Sequence, residues 1–185
     1  AEKRILTAGY VDKPRSDLVI RLLELLDLNP EQLPQAGRIR PLIGISDAEI
    51  FSGILQPGER SAAFGLNARS GQYFQGPLAI HFFYLNTGRS GKAHIVRVEI
   101  PAWVAQDEQS LQRIQNVVLD QCRQMGSKSY PYILHRAHEI AMVTYQERQL
   151  LLELLQIELL NHGQPGGETS NKQQLKNLAG KSRHA

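Results

Sequence analysis

The chain has 185 residues, 42% of them hydrophobic and 21% charged, ordinary values for a globular domain and too apolar for a disordered one. No apolar run approaches the roughly 18 residues that a membrane span requires, and the lone cysteine, Cys122, excludes an internal disulfide or a multi-cysteine zinc site. Four of the 21 cations and one of the 18 carboxylates fall in residues 163–185, leaving 17 of each in the body. The pI of 9.1 therefore belongs to the tail and is weak evidence that the body binds nucleic acid. The opening residues AEKRILTAGY lack the apolar core of a signal peptide, and the single thiol suits a reducing cytoplasm. Ala1 is not an initiator methionine and a strand-like run starts almost at once, so the sequence reads as a piece of something longer.

Ile5–Val11, apolar and β-branched at its ends, predicts a short buried strand. Apolar residues at 18, 19, 22, 23, 25, 26 and 28 then predict a helix over Asp17–Leu28, with Ser16 or Asp17 as its N-cap. Pro30, Pro34, Gly37 and Pro41 predict a loop. Ser46 and Glu49 have capping-box spacing ahead of Ile50, Phe51 and Ile54, which predicts a short helix ended by Pro57-Gly58. Residues 59–75 leave room for one or two short strands.

The run LAIHFFYL over 78–85 is apolar on both faces, whereas AHIVRVEI over 93–100 alternates. The polar, glycine-bearing NTGRSGK between them predicts an antiparallel hairpin. Leu111, Ile114, Val117, Val118, Cys122 and Met125 recur at three and four, a helix closed by Gly126, with Cys122 as a buried thiol. A second helix starts at Tyr130-Pro131, and a third, Tyr145–Leu160, is apolar around most of its circumference, so it should be buried in its own domain or against a partner. Residues 163–185 are glycine-, glutamine- and lysine-rich and read as a disordered basic tail after a domain over 1–162.

The phosphate-loop, dinucleotide, serine-elbow and zinc-protease signatures are absent from the sequence. The chemically dense stretch is SYPYILHRAHE at 129–139, with His135 and His138 one turn apart, Glu139 beside them and Tyr130 upstream. Imidazoles so placed could ligate a metal or shuttle a proton, or be ordinary polar residues on a helix flank.

This stretch resembles the C-terminal motif of NurA-type nucleases, a YP followed by an AH pair. AGYVDKPRSDLV at 8–19 resembles the family's glycine-tyrosine strand and basic-serine turn, and SDAEIF with LQPGERS its aspartate helix and PGxRS turn. With the hairpin and the long helix before YP, the resemblance covers about residues 5–160 and identifies the chain as the C-terminal part of a NurA domain. It implies an RNase H-like α/β fold, with a mixed sheet, an antiparallel hairpin and flanking long helices. It further implies manganese-dependent 5′-to-3′ DNA degradation in end resection and double-strand break repair, a homodimer, and a HerA-type ring ATPase as partner. Carried over by position, His138 matches the histidine near the metal and Tyr130 its associated tyrosine, the two catalytic candidates. Lys13, Arg15 and Arg60 match basic turn positions that could follow a DNA strand, although a solvated or salt-bridged cation is the better reading of any single one. The family's metal-binding carboxylates belong upstream of residue 8. Asp12 reads as a turn residue, and Asp17 and Asp47 as caps. The expectation is that this piece alone is inactive. The alternative is a non-catalytic interaction or dimerisation domain of the same fold.

Overall fold

The computed structural model describes residues 5–67, 73–89, 91–126, 128–142 and 144–163. The chain divides into two compact units, 1–137 and 138–185, and each is taken by itself. The expected tail lies, beyond Gly163, outside the described residues.

The first unit is built on β3 (Ile80–Asn86) and β4 (Ile95–Pro101), the predicted hairpin, in register Phe83 to Val98. β1 (Gly9–Val11) pairs with β4 and β2 (Phe64–Gly65) with β3, giving a sheet ordered β1-β4-β3-β2 in which every described pairing is antiparallel, where a mixed sheet was expected. Alternation assigns the side chains. Phe83, Leu85, Val96, Val98 and Ile100 point to one face, where α3 (Ala102–Ala105) supplies Val104 and α4 (Glu108–Gln124) supplies Leu111 and Ile114. Phe82, Tyr84 and Ile95 point to the other, against Val19 of α1 (Leu18–Leu26) and Phe51 of α2 (Asp47–Ile54). Phe83, Tyr84 and Leu85 are fully buried, each contributing roughly 2–3 kcal/mol relative to exposure.

The strand expected over 5–11 is shorter: pairing begins at Gly9, and Ile5 is 81% exposed. Continuing the observed register would set Thr7 opposite Pro101, which has no N–H to give, so the ladder stops. The loop expected from Pro30 contains a 3₁₀ turn, Pro30–Gln35. It is tied back to α1 by Glu24, whose buried carboxylate accepts from Arg21 (2.9 Å), Arg40 (2.7 Å) and the Leu42 N–H (3.0 Å). Burial opposes ionisation of Glu24, yet these donors hold its carboxyl below the ordinary value.

The Ser46–Glu49 capping box forms as expected, with the Ser46 N–H donating to Glu49 at 2.6 Å. Asp17 does not cap. It pairs with Arg40, and the first N–H groups of α1 are met instead by Asp47, from the start of the next helix. α4 ends at Gly126, whose φ of 64° suits a residue without a side chain. Cys122 is buried, as expected, and burial pushes its thiol up.

α5 (Tyr132–Ala141) follows Pro131, and α6 (Tyr145–Asn161) opens on a Thr144–Glu147 capping box. α6 is not buried in the chain: its eight leucine and isoleucine side chains between 150 and 160 are 36–65% exposed. Its apolar residues wrap too far round the axis for a single packing face.

Candidate functional site

The two basic turns singled out in the sequence lie at the same end of the sheet, beside β1 and β3. The turn 12–16 leaves the C-terminal end of β1. The PGER turn lies beside the end of β3, with Gly58 N–H donating to Asn86 O (2.8 Å) and Asn86 N–H to Glu59 O (3.0 Å). Lys13 and Arg15 are exposed there, and Lys13 holds a φ of 47°, a left-handed conformation unusual for a residue with a side chain. Arg60 is differently placed. Its guanidinium pairs with Glu108 (2.6 Å), donates to Ser61 O (3.1 Å) and lies 6.0 Å from the Phe83 ring centre, leaving 17% of the side chain exposed. Its visible role is to tie β3 to the start of α4.

The β3–β4 connection belongs to the same end and was overlooked as a site in the sequence. Asn86, 1% exposed, accepts from Gly88 N–H (2.9 Å) and His94 N–H (3.1 Å) and donates to Leu55 O (2.8 Å). His94 stands between Thr87 Oγ1 (2.9 Å from Nδ1) and Asp12 Oδ1 (3.2 Å from Nε2). Hydroxyl, imidazole and carboxylate in line suggest a nucleophilic triad, but the Thr87 hydroxyl also donates to the His94 carbonyl (3.2 Å) and is buried. The group fastens the turn bearing Lys13 to the hairpin.

Across the sheet, the Asp47 carboxylate accepts from Val19 N–H (3.0 Å), Ile20 N–H (2.9 Å) and Tyr84 Oη (2.6 Å), and it is 1% exposed. Burial and the hydrogen bond to Asp47 push the Tyr84 phenol far up, so it stays protonated as a donor. Spacing gave no warning of this contact, because its partners are remote in sequence.

Of the catalytic candidates, Tyr130 packs edge-on against Tyr10 of β1, ring centres 5.5 Å apart, and Tyr10 Oη donates to Ser129 O (3.2 Å). Burial, followed by Cys122 and Asp12, raises the Tyr10 phenol above its ordinary range. An apolar cleft of about 280 Å³ lies alongside, between Leu6, Tyr10, Val118, Pro131 and Leu134. His138 is exposed on α5, begins the second unit, and gives its carbonyl to Met142 N–H (3.1 Å). Among the described residues, no three His, Cys, Asp or Glu side chains converge as a metal would need. The donor set described therefore does not by itself fit a metal centre, and His138 is a single prospective ligand.

A family model described as the NurA domain matches residues 1–143 of the 185. The chain belongs to the NurA family. No curated protein and no solved structure matches it. The match takes in the sheet, both basic turns, Tyr130 and His138, and ends before α6. Membership makes this a domain of a nuclease family. Among the described residues, no helix of this NurA domain is long and apolar enough to cross a membrane.

Proposed function

We propose that the chain is the C-terminal part of a metal-dependent DNA nuclease acting in end resection during double-strand break repair, with an RNase H-like fold. The observation that carries this is the NurA match over most of the chain, including the Tyr130–His138 segment. His138 contributes one ligand to a divalent ion, of which manganese is the family's choice, and Tyr130 positions substrate or a ligand. When bound, the ion would polarise a phosphodiester and activate water. Lys13, Arg15 and Arg60 are the inherited candidates for DNA contact. The piece by itself is inactive, because the acidic strand that completes the metal site belongs upstream. A homodimer, a HerA-type ring ATPase partner and a cytoplasmic setting complete the proposal. The exposed leucines of α6 favour a second reading, a domain that serves association rather than chemistry.

The test compares labelled single-stranded DNA incubated with manganese and either the 185-residue chain or a chain extended by the acidic strand. Products are expected from the extended chain alone, lost with EDTA and lost in His138→Ala. An inert extended chain sinks the nuclease reading and leaves association, whereas an active one indifferent to His138→Ala removes His138 from the metal site.

A further inference from the structure

The hairpin connection is built more firmly than a solvent-exposed turn requires. Asn86 spans it from below, and a Cβ on Gly88 would lie 2.2 Å from Lys92 O, so only glycine fits that path. Gly91 turns at a φ of 95°, and Arg89 and Lys92 bridge across the tip. The connection carries two exposed cations, Arg89 and Lys92. Arg89 leans towards the end of α4, donating to the Arg123 carbonyl (3.1 Å), and among the described residues neither Arg89 nor Lys92 meets a carboxylate. Arg89, Arg123 and Thr87 line a hollow of about 450 Å³ together with Pro57, Leu119 and Cys122, so its walls are mixed. The Asp12–His94 contact brings Lys13 to the same side. Arg123 is paired with Asp120 (2.8 Å), which leaves Arg89 and Lys92 as the exposed cations of this connection without a carboxylate partner among the described residues, an arrangement that suits a phosphodiester.

We propose that the β3–β4 connection is a phosphate clamp for the DNA strand, with Arg89 and Lys92 as its contacts and Asn86, Gly88 and the Thr87–His94–Asp12 tie as its scaffold. The proposal rests on the DNA-directed reading above, but it names residues that the family resemblance did not. The bond from Arg89 to the Arg123 carbonyl lets that cation meet the backbone without freezing a long side chain from scratch.

The test uses fluorescence anisotropy of the full chain with a labelled single-stranded oligonucleotide over a salt series. Each lost phosphate contact lowers the slope of log affinity against log salt by about 0.7, so Arg89→Ala with Lys92→Ala should lower it by about 1.4. At 0.1 M salt the same slope corresponds to roughly a 25-fold loss of affinity. Arg38→Ala with Arg148→Ala removes equal charge elsewhere and should leave the slope unchanged. Circular dichroism confirms that both pairs stay folded, as expected for exposed side chains. Equal losses in the two pairs would show diffuse attraction and overturn the clamp, as would no loss in the Arg89/Lys92 pair. A mononucleotide, dAMP, competing as well as the strand would mark a nucleotide pocket and also overturn it. Failure of the wild-type chain to bind DNA at all would remove the DNA reading and the clamp with it.

Discussion

Replacing Asp47 with alanine should be among the most damaging single changes in the first unit. The carboxylate meets the Val19 N–H at 3.0 and 3.1 Å, the Ile20 N–H at 2.9 Å and the Tyr84 hydroxyl at 2.6 Å. Tyr84 can turn to Ser16 Oγ, 3.2 Å away, but the two amides at the start of α1 have no substitute. A buried donor left unmet costs about 1–3 kcal/mol, so the loss should be about 4 kcal/mol in all. For a chain of this size each kcal/mol moves Tm by about 2–4 °C, which predicts a fall of roughly 8–16 °C. Asp47→Asn keeps Oδ1 for both amides but loses the charge and the Oδ2 acceptor to which Tyr84 donates, so it should fall about half as far. Thermal unfolding followed by circular dichroism reads both variants. An alanine variant within about 2 °C of wild type would refute the reasoning, and so would an asparagine variant that falls as far as alanine.

Glu24 should make the fold acid-sensitive. Its carboxyl is held below the ordinary 4.5, so its contribution is complete above that value and lost as pH falls through the lowered one. Urea unfolding from neutral to acid pH should show this limb in wild type and a flatter one in Glu24→Gln; identical profiles would count against the Arg21–Glu24–Arg40 cluster. In α6, Leu155→Asp should weaken self-association by at least about tenfold, the loss of roughly 1.5 kcal/mol of apolar burial, whereas Gln156→Asp should not. Sedimentation with unchanged helicity checks this, and a wild-type chain that stays monomeric at high micromolar concentration sinks it.

Features written within a few residues were legible in the sequence. The Ser46–Glu49 box, the Gly126 stop and the 78–100 hairpin follow from spacing and alternation, and the structure has them. Features that depend on remote partners were not. Asp47 looks like a cap for the helix it begins, yet it serves α1, 28 residues back, and Tyr84, 37 residues on. Asp17 looks like a cap and is drawn to Arg40 instead. Arg60 carries an unremarkable sequence signature for DNA contact, and its pairing with Glu108, 48 residues away, was invisible until the chain folded. Arg89 and Lys92 were in plain view within NTGRSGK, but the run reads only as a polar, glycine-bearing turn, and the partner of Arg89 lies 34 residues away. The Tyr130–His138 segment was legible as a family signature, since spacing alone does not separate a ligand from a helix-flank histidine.

The Asp47 carboxylate is one end of a longer thread. Tyr84 links it to Ser16, Ser16 Oγ lies 2.9 Å from Arg97, and Arg97 continues to Glu99 at 2.7 Å. Five side chains from the α1 lead-in, α2, β3 and β4 thus share one set of protons and lone pairs across the sheet. A change at any of them alters what its neighbour can donate or accept, so their effects will not add. Divergence along this face should therefore proceed by joint replacement, with Ser16 and Arg97 changing together or not at all. A single-site scan would assign to one residue a cost that belongs to the set, and a matched apolar set could replace several at once.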